Sequence, residues 1–344
     1  MDCSAFDEQV VRLEKIKDIA DQFVRVRLAA IEPLDLNVFD FDHDLTFMVL
    51  FMNSEQQIYA RYGGRCEQGP DARQSLEGLR STMKSVLAEC ESASPRFAPR
   101  KRGKPFFIGD IAPTRGLGRC VHCHQAKEVV YNDLDRKGKW NTDLAFRYPL
   151  PENVGLKLDV TQSEMICEVV SDSPAARAGM MVGDRLLNVN QVPIHSEADV
   201  RFALDRAPKR GSIDATWVHD GQQRSGKLLL PDRWRRTDIS WRPSLQNFVA
   251  TCRIYGKDLP ASEREELGLT ATQLAFRQKA NVPPVAQRAG IREGDVILGF
   301  DDRRLEMTAY EFLLYVRSNY LKGESVNVNV IRKGRRLRLA MKLE

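Results

Sequence analysis

The apolar positions fall into helical and strand periods that alternate along the chain, and its second half repeats itself. Phe6, Val10, Leu13, Ile16 and Ile19 follow helical spacing, and Phe23 to Leu28 alternates as a strand. Phe47 to Met52 predicts a buried strand that turns through Asn53-Ser54-Glu55-Gln56 into another, Ile58 to Tyr62. Leu76 to Leu87 predicts a closing helix. Farther on, Ser173-Pro-Ala-Ala-Arg-Ala-Gly179 leads into Met-Met-Val-Gly183-Asp184-Arg-Leu-Leu187. The pattern returns 111 residues later as Pro284-Val-Ala-Gln-Arg-Ala-Gly290 and Ile-Arg-Glu-Gly294-Asp295-Val-Ile-Leu298. Ser173 is suited to cap a short helix, with Pro174 in its first turn and a left-handed Gly179 ending it. Gly183-Asp184 predicts a tight turn into a strand over Arg185 to Val189. Helices are predicted over Glu197 to Arg206 and Thr308 to Asn319. Each copy closes with a glycine hairpin, His219-Asp220-Gly221-Gln222 and Arg332-Lys333-Gly334-Arg335.

The length of 344 residues implies two or three cores, and 42% hydrophobic with 29% charged residues describes a globular chain. No apolar run is long enough to cross a bilayer. The start shows no basic segment followed by an apolar stretch, hence no export signal in the chain as written. Residues 1–95 hold 10 Lys/Arg against 17 Asp/Glu, and the remaining 249 hold 42 against 30. The opposite signs favour contact between the front of the chain and the rest. Basic clusters at Arg100 to Arg102, Arg233 to Arg236 and Arg332 to Arg338 lack any accompanying nucleic-acid-binding motif, so they read as solvated surface and no nucleic-acid partner is expected. Seven cysteines are too few and too scattered for a disulfide framework.

The repeated order of strand, helix cap, Gly-Asp turn, helix and hairpin resembles the PDZ domains of bacterial HtrA-type and related envelope proteins. The resemblance implies peptide binding, with a glycine-containing loop taking a C-terminal carboxylate and the peptide adding as a strand beside a helix. The loops would be Val154-Gly155-Leu156 and Leu267-Gly268-Leu269, and the groove-facing helix residues Val200, Leu204, Phe312 and Val316. HtrA-type proteins join such modules to a serine protease. This chain has no Gly-x-Ser-x-Gly segment and no histidine in a protease-like context, so the expectation is of a non-protease.

Cys120-Val-His-Cys123-His124 is the sharpest chemical signal. Two thiols three positions apart followed by imidazole is the pattern that holds haem c, the thiols fixing the macrocycle and His124 beneath the iron. Met165, Met180 and Met181 are sixth-ligand candidates by type. Zinc, a dithiol or a motif kept without cofactor remain open; the dithiol pattern would open a helix after a strand, whereas Pro113 to Arg119 reads as loop.

The block Asp44 to Gly64 resembles the central hairpin of thioredoxin-like domains. With the haem-type motif and the repeats, the whole chain resembles a bacterial family of thioredoxin-like/PDZ domain-containing (seleno)proteins. The family's redox pair opens the first helix; here Cys3 stands at its second position, a tentative redox residue, and the first would precede Met1. Two readings stay open: the given start is internal, a longer chain supplying the missing strand, an export signal and the first redox residue, or Cys3 is an ordinary terminal residue.

The resulting expectation is a multidomain α+β protein. It has a thioredoxin-like α/β domain at 1–92 and a linker with the Cys-x-x-Cys-His segment at 93–150. Two PDZ-like β-barrel or sandwich domains follow at 151–232 and 233–344. It is expected in the bacterial envelope if an upstream signal exists and otherwise in the cytoplasm, as a redox-associated scaffold with peptide C-termini and a redox protein as partners. The alternatives are an adaptor without haem and a thiol or seleno-oxidoreductase in a longer chain.

Overall fold

Each Gly-Asp turn is built the same way. The Asp184 carboxylate accepts the Met181 amide at 2.9 Å and sits 2.6 Å from the imidazole of His219; the Asp295 carboxylate accepts the Arg292 amide at 2.9 Å and pairs with Arg332 at 2.7 Å. Both carboxylates are almost fully buried, so each needs these partners, and each thereby ties its turn to its closing hairpin. The computed structural model describes residues 13–28, 30–45, 47–99, 103–111 and 123–344. The chain divides into two units, Met1–Thr237 and Asp238–Glu344.

Unit one begins with a short helical stretch ending in α1 (Lys17–Ala20), then an antiparallel hairpin β1 (Val49–Met52) and β2 (Ile58–Tyr62), then α2 (Leu76–Cys90). These elements bury Ile16, Ile19, Phe51, Tyr59, Leu79, Met83 and Val86 together. Helix α3 (Cys123–Arg136) follows. The first repeat then runs β3 (Leu156–Leu158), β4 (Ile166–Val169), α4 (Pro174–Ala178), β5 (Arg185–Val189), β6 (Val192–Pro193), α5 (Glu197–Asp205), β7 (Gly211–His219) and β8 (Gln222–Leu230). Strands β3 and β4 pair by themselves, and the other four form a sheet in the order β6-β5-β7-β8. Ser173 accepts the Ala176 amide and Gly179 closes α4 with φ 91°, as the cap pattern predicts. The core gathers Leu156, Ile166, Leu186, Val200, Leu204 and Trp217.

Unit two contains β9 (Gly256–Asp258), α6 (Ala261–Glu266), β10 (Phe276–Gln278), α7 (Pro284–Arg288), β11 (Val296–Phe300), α8 (Ala309–Asn319), β12 (Ser325–Arg332) and β13 (Arg335–Lys342). Its five strands form one antiparallel sheet in the order β13-β12-β11-β10-β9, which leaves β9 as an edge. Thr308 and Glu311 cap α8 reciprocally, and Phe312 packs edge-on to Phe300 at 4.9 Å. In both hairpins the turn residues, Asp220-Gly221 and Lys333-Gly334, have positive φ, which matches the twist of the strands they join.

Two expectations change. The alternation over Phe23 to Leu28 does not produce a strand: Val24, Val26 and Leu28 are 95%, 75% and 52% exposed, and among the described residues no strand pairs with them. Alternation favours an extended chain, but a strand also needs a neighbour's backbone groups. The front of the chain contributes one two-stranded sheet among the described residues and shares a compact unit with the first repeat.

Phe312→Ala should remove a ring that holds unit two together and cost about 3–5 kcal/mol. A lower urea midpoint followed by circular dichroism is the expected result; an unchanged midpoint would contradict this packing.

Candidate functional site

In unit one, Gly155 precedes β3 with φ 82°, and a Cβ added there would lie 2.0 Å from the Ser173 Cβ, so only glycine fits. The residues before and after β3 bond to the β4 side, Val170 N–H to Gly155 O and Asp159 N–H to Met165 O. The opposite edge of β3 pairs with no described strand. Helix α5 contacts the turn Pro151–Val154 that leads into Gly155.

The front of the chain covers this repeat from three directions. First, α2 lies on the turn after β3: the Ser75 hydroxyl donates to Val160 O at 2.9 Å and the Ser163 hydroxyl to Gly78 O at 2.9 Å. A Cβ on Gly78 would approach Val160 O to 2.2 Å, so the two backbones meet directly. Second, β2 lies on α5. The Arg61 amide donates to Asp199 at 3.0 Å, and the Ser196 hydroxyl donates to Arg61 O. The Arg61 and Arg206 guanidinium groups lie on the Phe202 ring at 3.4 and 3.3 Å. Third, Arg73 ties the two walls: its Nη1 is 2.5 Å from Glu152, just ahead of Gly155, and 3.1 Å from Glu197 in the first turn of α5.

Buried charges continue from this contact. Asp40 accepts from Arg206 at 2.6 Å and from Tyr148, and Lys127 on α3 bonds Asp42 at 3.0 Å and Asp44 at 2.9 Å. Arg147 pairs with Asp205 at 2.6 Å. Burial alone would raise the Asp40 carboxyl, but Arg206, Tyr148 and Arg147 hold it below its ordinary range. Asp199 is pushed up to about 7 by burial, against the pull of Arg61 and the amides it accepts. The His195 ring, 2% exposed, contacts the Ser85 hydroxyl through Nδ1 at 2.8 Å; the Thr82 hydroxyl donates to His195 O at 3.1 Å. This serine–histidine contact holds α2 to the turn before α5.

Unit two presents the corresponding pair of elements differently. Lys279 N–H bonds Tyr255 O and Leu259 N–H bonds Ala275 O, so the odd-numbered residues around β9 face β10 and the polar backbone groups of Gly256 and Asp258 face away. The Asp258 carboxylate accepts the Ala309 amide at 2.9 Å, which sets α8 beside this edge. Helix α8 buries only Ala309, Phe312 and Val316, leaving Tyr310 69% and Leu314 49% exposed; Tyr255, just ahead of β9, is 38% exposed. Helix α5, by contrast, buries every residue from Ala198 to Leu204.

The sequence-predicted site residues distribute unevenly. Val154, Gly155 and Leu156 stand at the start of β3 as expected, though Val154 and Leu156 are themselves core. Leu267, Gly268 and Leu269 do not precede the edge strand. They end α6, where Gly268 has φ 64° and Leu269 packs with Leu259, Val296 and Ile331. The segment that precedes β9 is Cys252 to Tyr255, which lacks the Leu-Gly-Leu pattern. Val200, Leu204, Phe312 and Val316 are fully buried core residues. A core stripe and a groove stripe have the same helical period, so the sequence could not separate them. Cys3 and Cys120 lie outside the described residues. Cys123 opens α3 in an aliphatic cluster with Ile31, Ile108 and Val130. Sequence reasoning missed Arg61 and Arg73, because a lone arginine beside a strand carries no signal of its partner.

Residues 165–214 match the family model described as "PDZ domain". The first repeat contains a PDZ domain. Similar curated proteins are named "Probable periplasmic serine endoprotease DegP-like" in Pseudomonas savastanoi pv. phaseolicola, 25% identical over 66% of this chain and 48% of the relative, and in Ectopseudomonas mendocina, 26% identical over 56% and 40%. The "Periplasmic serine endoprotease DegP" of Escherichia coli K12 is 25% identical over 45% of this chain and 30% of its own length. These relatives overturn the expectation of an enzyme class that excludes proteases, since they are named serine endoproteases. The chain spans less than half their length. Among solved structures, the serine endoprotease from Yersinia pestis is 28% identical over 23% of this chain and 28% of that one, with a TM-score of 0.20. The HtrA-type protease AlgWS227A with decapeptide is 17% identical over 47% and 49%, with a TM-score of 0.26.

Burial pushes the His195 imidazole down from 6.5 to about 4, helped by Arg96 and opposed by Glu89. Below pH 6.5 the unfolded chain takes a proton that the folded ring refuses, so stability present above 6.5 is lost as pH falls toward 4. The expected loss from this ring is roughly 3 kcal/mol at full extent. His195→Gln should flatten the pH dependence of the urea midpoint by that amount; identical slopes for variant and parent would refute the assignment.

Proposed function

We propose that this chain is a peptide-capturing part of an HtrA-like envelope protein, in which the second repeat takes an extended peptide between β9 and α8. The observation that carries the reading is the β9 edge, with which no further described strand pairs, beside a helix whose Tyr310 and Leu314 are exposed. Such an edge offers backbone hydrogen bonds for affinity, and the helix side chains offer apolar contact for selection. The periplasmic names of the relatives support an envelope location. In this reading the thioredoxin-like hairpin layer, β1, β2 and α2, serves as a dock for the first repeat.

The test uses full-length chain and a pool of fluorescein-labelled decapeptides with free carboxylates ending in Val, Leu, Ile or Phe. Saturable binding is expected, and the exposed-surface variant Tyr310→Glu/Leu314→Glu should weaken it roughly tenfold or more, a change of about 1.4 kcal/mol. No binding, or equal binding by the variant, would refute the site. Mass spectrometry of the recovered pool separates capture from the relatives' named activity: intact peptides report capture, and cuts blocked by a serine-directed reagent report endoproteolysis.

A haem held by Cys120 and Cys123, with His124 at the iron, is proposed from the motif alone. Among the described residues no group of three or more His, Cys, Asp or Glu gathers to hold a metal. Protein made with export and haem-attachment machinery should then keep a Soret band after denaturation, and lose it in Cys123→Ser. A colourless parent protein would refute haem attachment.

A further inference from the structure

We infer that the PDZ groove of the first repeat is an internal docking site, held shut by the chain's own residues 58–80, so that only the second repeat is open to an outside peptide. The inference rests on the peptide reading of the second repeat for its second half, and on geometry alone for its first.

The two walls of the first groove are the loop running into Gly155 and the helix α5. Arg73 joins them, with Glu152 on one wall and Glu197 on the other. Its side chain is 4% exposed, so the guanidinium end of the bridge is enclosed, while the Glu152 arm is 35% exposed. One turn along α5, Arg201 repeats the arrangement: it donates to Arg65 O at 2.9 Å and to Glu197 at 2.8 Å, and a Cβ added at Gly64 would meet its guanidinium at 3.5 Å. The helix face carrying Glu197 and Arg201 is thereby filled by the stretch Gly64 to Arg73. On the neighbouring face, β2 uses Ser196 and Asp199 to satisfy both backbone groups of Arg61. At the far end of β3, α2 touches Val160 through Ser75 and Gly78. A peptide strand entering beside β3 would have to displace Arg73 from Glu152 and Glu197 and leave the buried guanidinium without these partners, which is costly.

The second repeat has no such cover among the described residues of its unit. Among the described residues no arginine bridges β9 and α8, and the Asp258 carboxylate accepts the Ala309 amide.

The test is backbone amide exchange on the full chain without ligand, comparing Leu156–Leu158 with Gly256–Asp258, followed by calorimetric titration with the labelled decapeptide pool. Slow exchange at Leu156 and Leu158, although no described strand pairs there, and one peptide per chain are expected. Arg73→Gln, which removes the charge and shortens the side chain while keeping it polar, should speed exchange at those two amides about tenfold and add a second, weaker site. If that variant fails to fold, Glu152→Gln, at a half-exposed carboxylate, removes one arm of the bridge and should give a smaller change in the same direction. Exchange at Leu156 and Leu158 as fast as at Gly256 and Asp258 in the parent would overturn the closed groove. So would two peptides per parent chain. Slow exchange with no peptide bound at all would leave the closed groove standing and refute the peptide reading of the second repeat instead.

Discussion

Arg61 is the point on which unit one turns. Its side chain is 2% exposed, and a guanidinium cannot be left in the interior without partners. Asp40 O in the front segment lies at 3.1 Å, and the contact of β2 with α5 adds the Asp199 carboxylate at 3.6 Å and the face of Phe202. The same contact satisfies both backbone groups of Arg61 on β2. A buried ionic contact of this kind adds little net stability over an apolar one, but losing one partner costs several kcal/mol, so it fixes a single seating of the front segment on the repeat. Asp40, Asp42 and Asp44 extend that seating to Arg206, Arg201 and Lys127, and so bring α3 into the same network.

The two repeats share a backbone signature and differ in what surrounds it. Both use a buried aspartate at the Gly-Asp turn, and both end in a hairpin with a positive-φ pair. In the first, α5 is enclosed and its polar residues are turned to intramolecular ion pairs. In the second, α8 keeps apolar and polar residues in solvent beside a free sheet edge. In the proposed reading, one module serves as a support and the other keeps the surface on which a peptide can act. The roles would then be decided by which residues pack on the helix rather than by the fold itself.

The repeat was legible because its signals are local. Ser173, Pro174 and Gly179 fix a helix and its ends through short-range geometry, and the 111-residue offset placed the second copy. The hairpin β1–β2 was legible for the same reason, since Asn53 to Gln56 is a turn with its own side-chain bonds. The groove was not. Val200 and Phe312 carry a helical period that serves core and groove alike, and Leu267-Gly268-Leu269 imitates a binding loop while ending a helix. The contact of Arg61 with Asp199 joins residues 138 positions apart, and nothing in the neighbourhood of either predicts the other. The charge imbalance between the first 95 residues and the rest did point to attraction across that boundary. Within unit one it takes the form of Asp40, Asp42 and Asp44 meeting Arg206, Arg201 and Lys127.

The most direct measurement is an exchange map of the full chain with and without a saturating decapeptide that binds it. The account predicts new amide protection at Gly256, Asp258 and along Ala309–Asn319, with Leu156, Leu158 and Glu197–Asp205 unchanged. Protection appearing in the first repeat, with β9 and α8 unaffected, would contradict it.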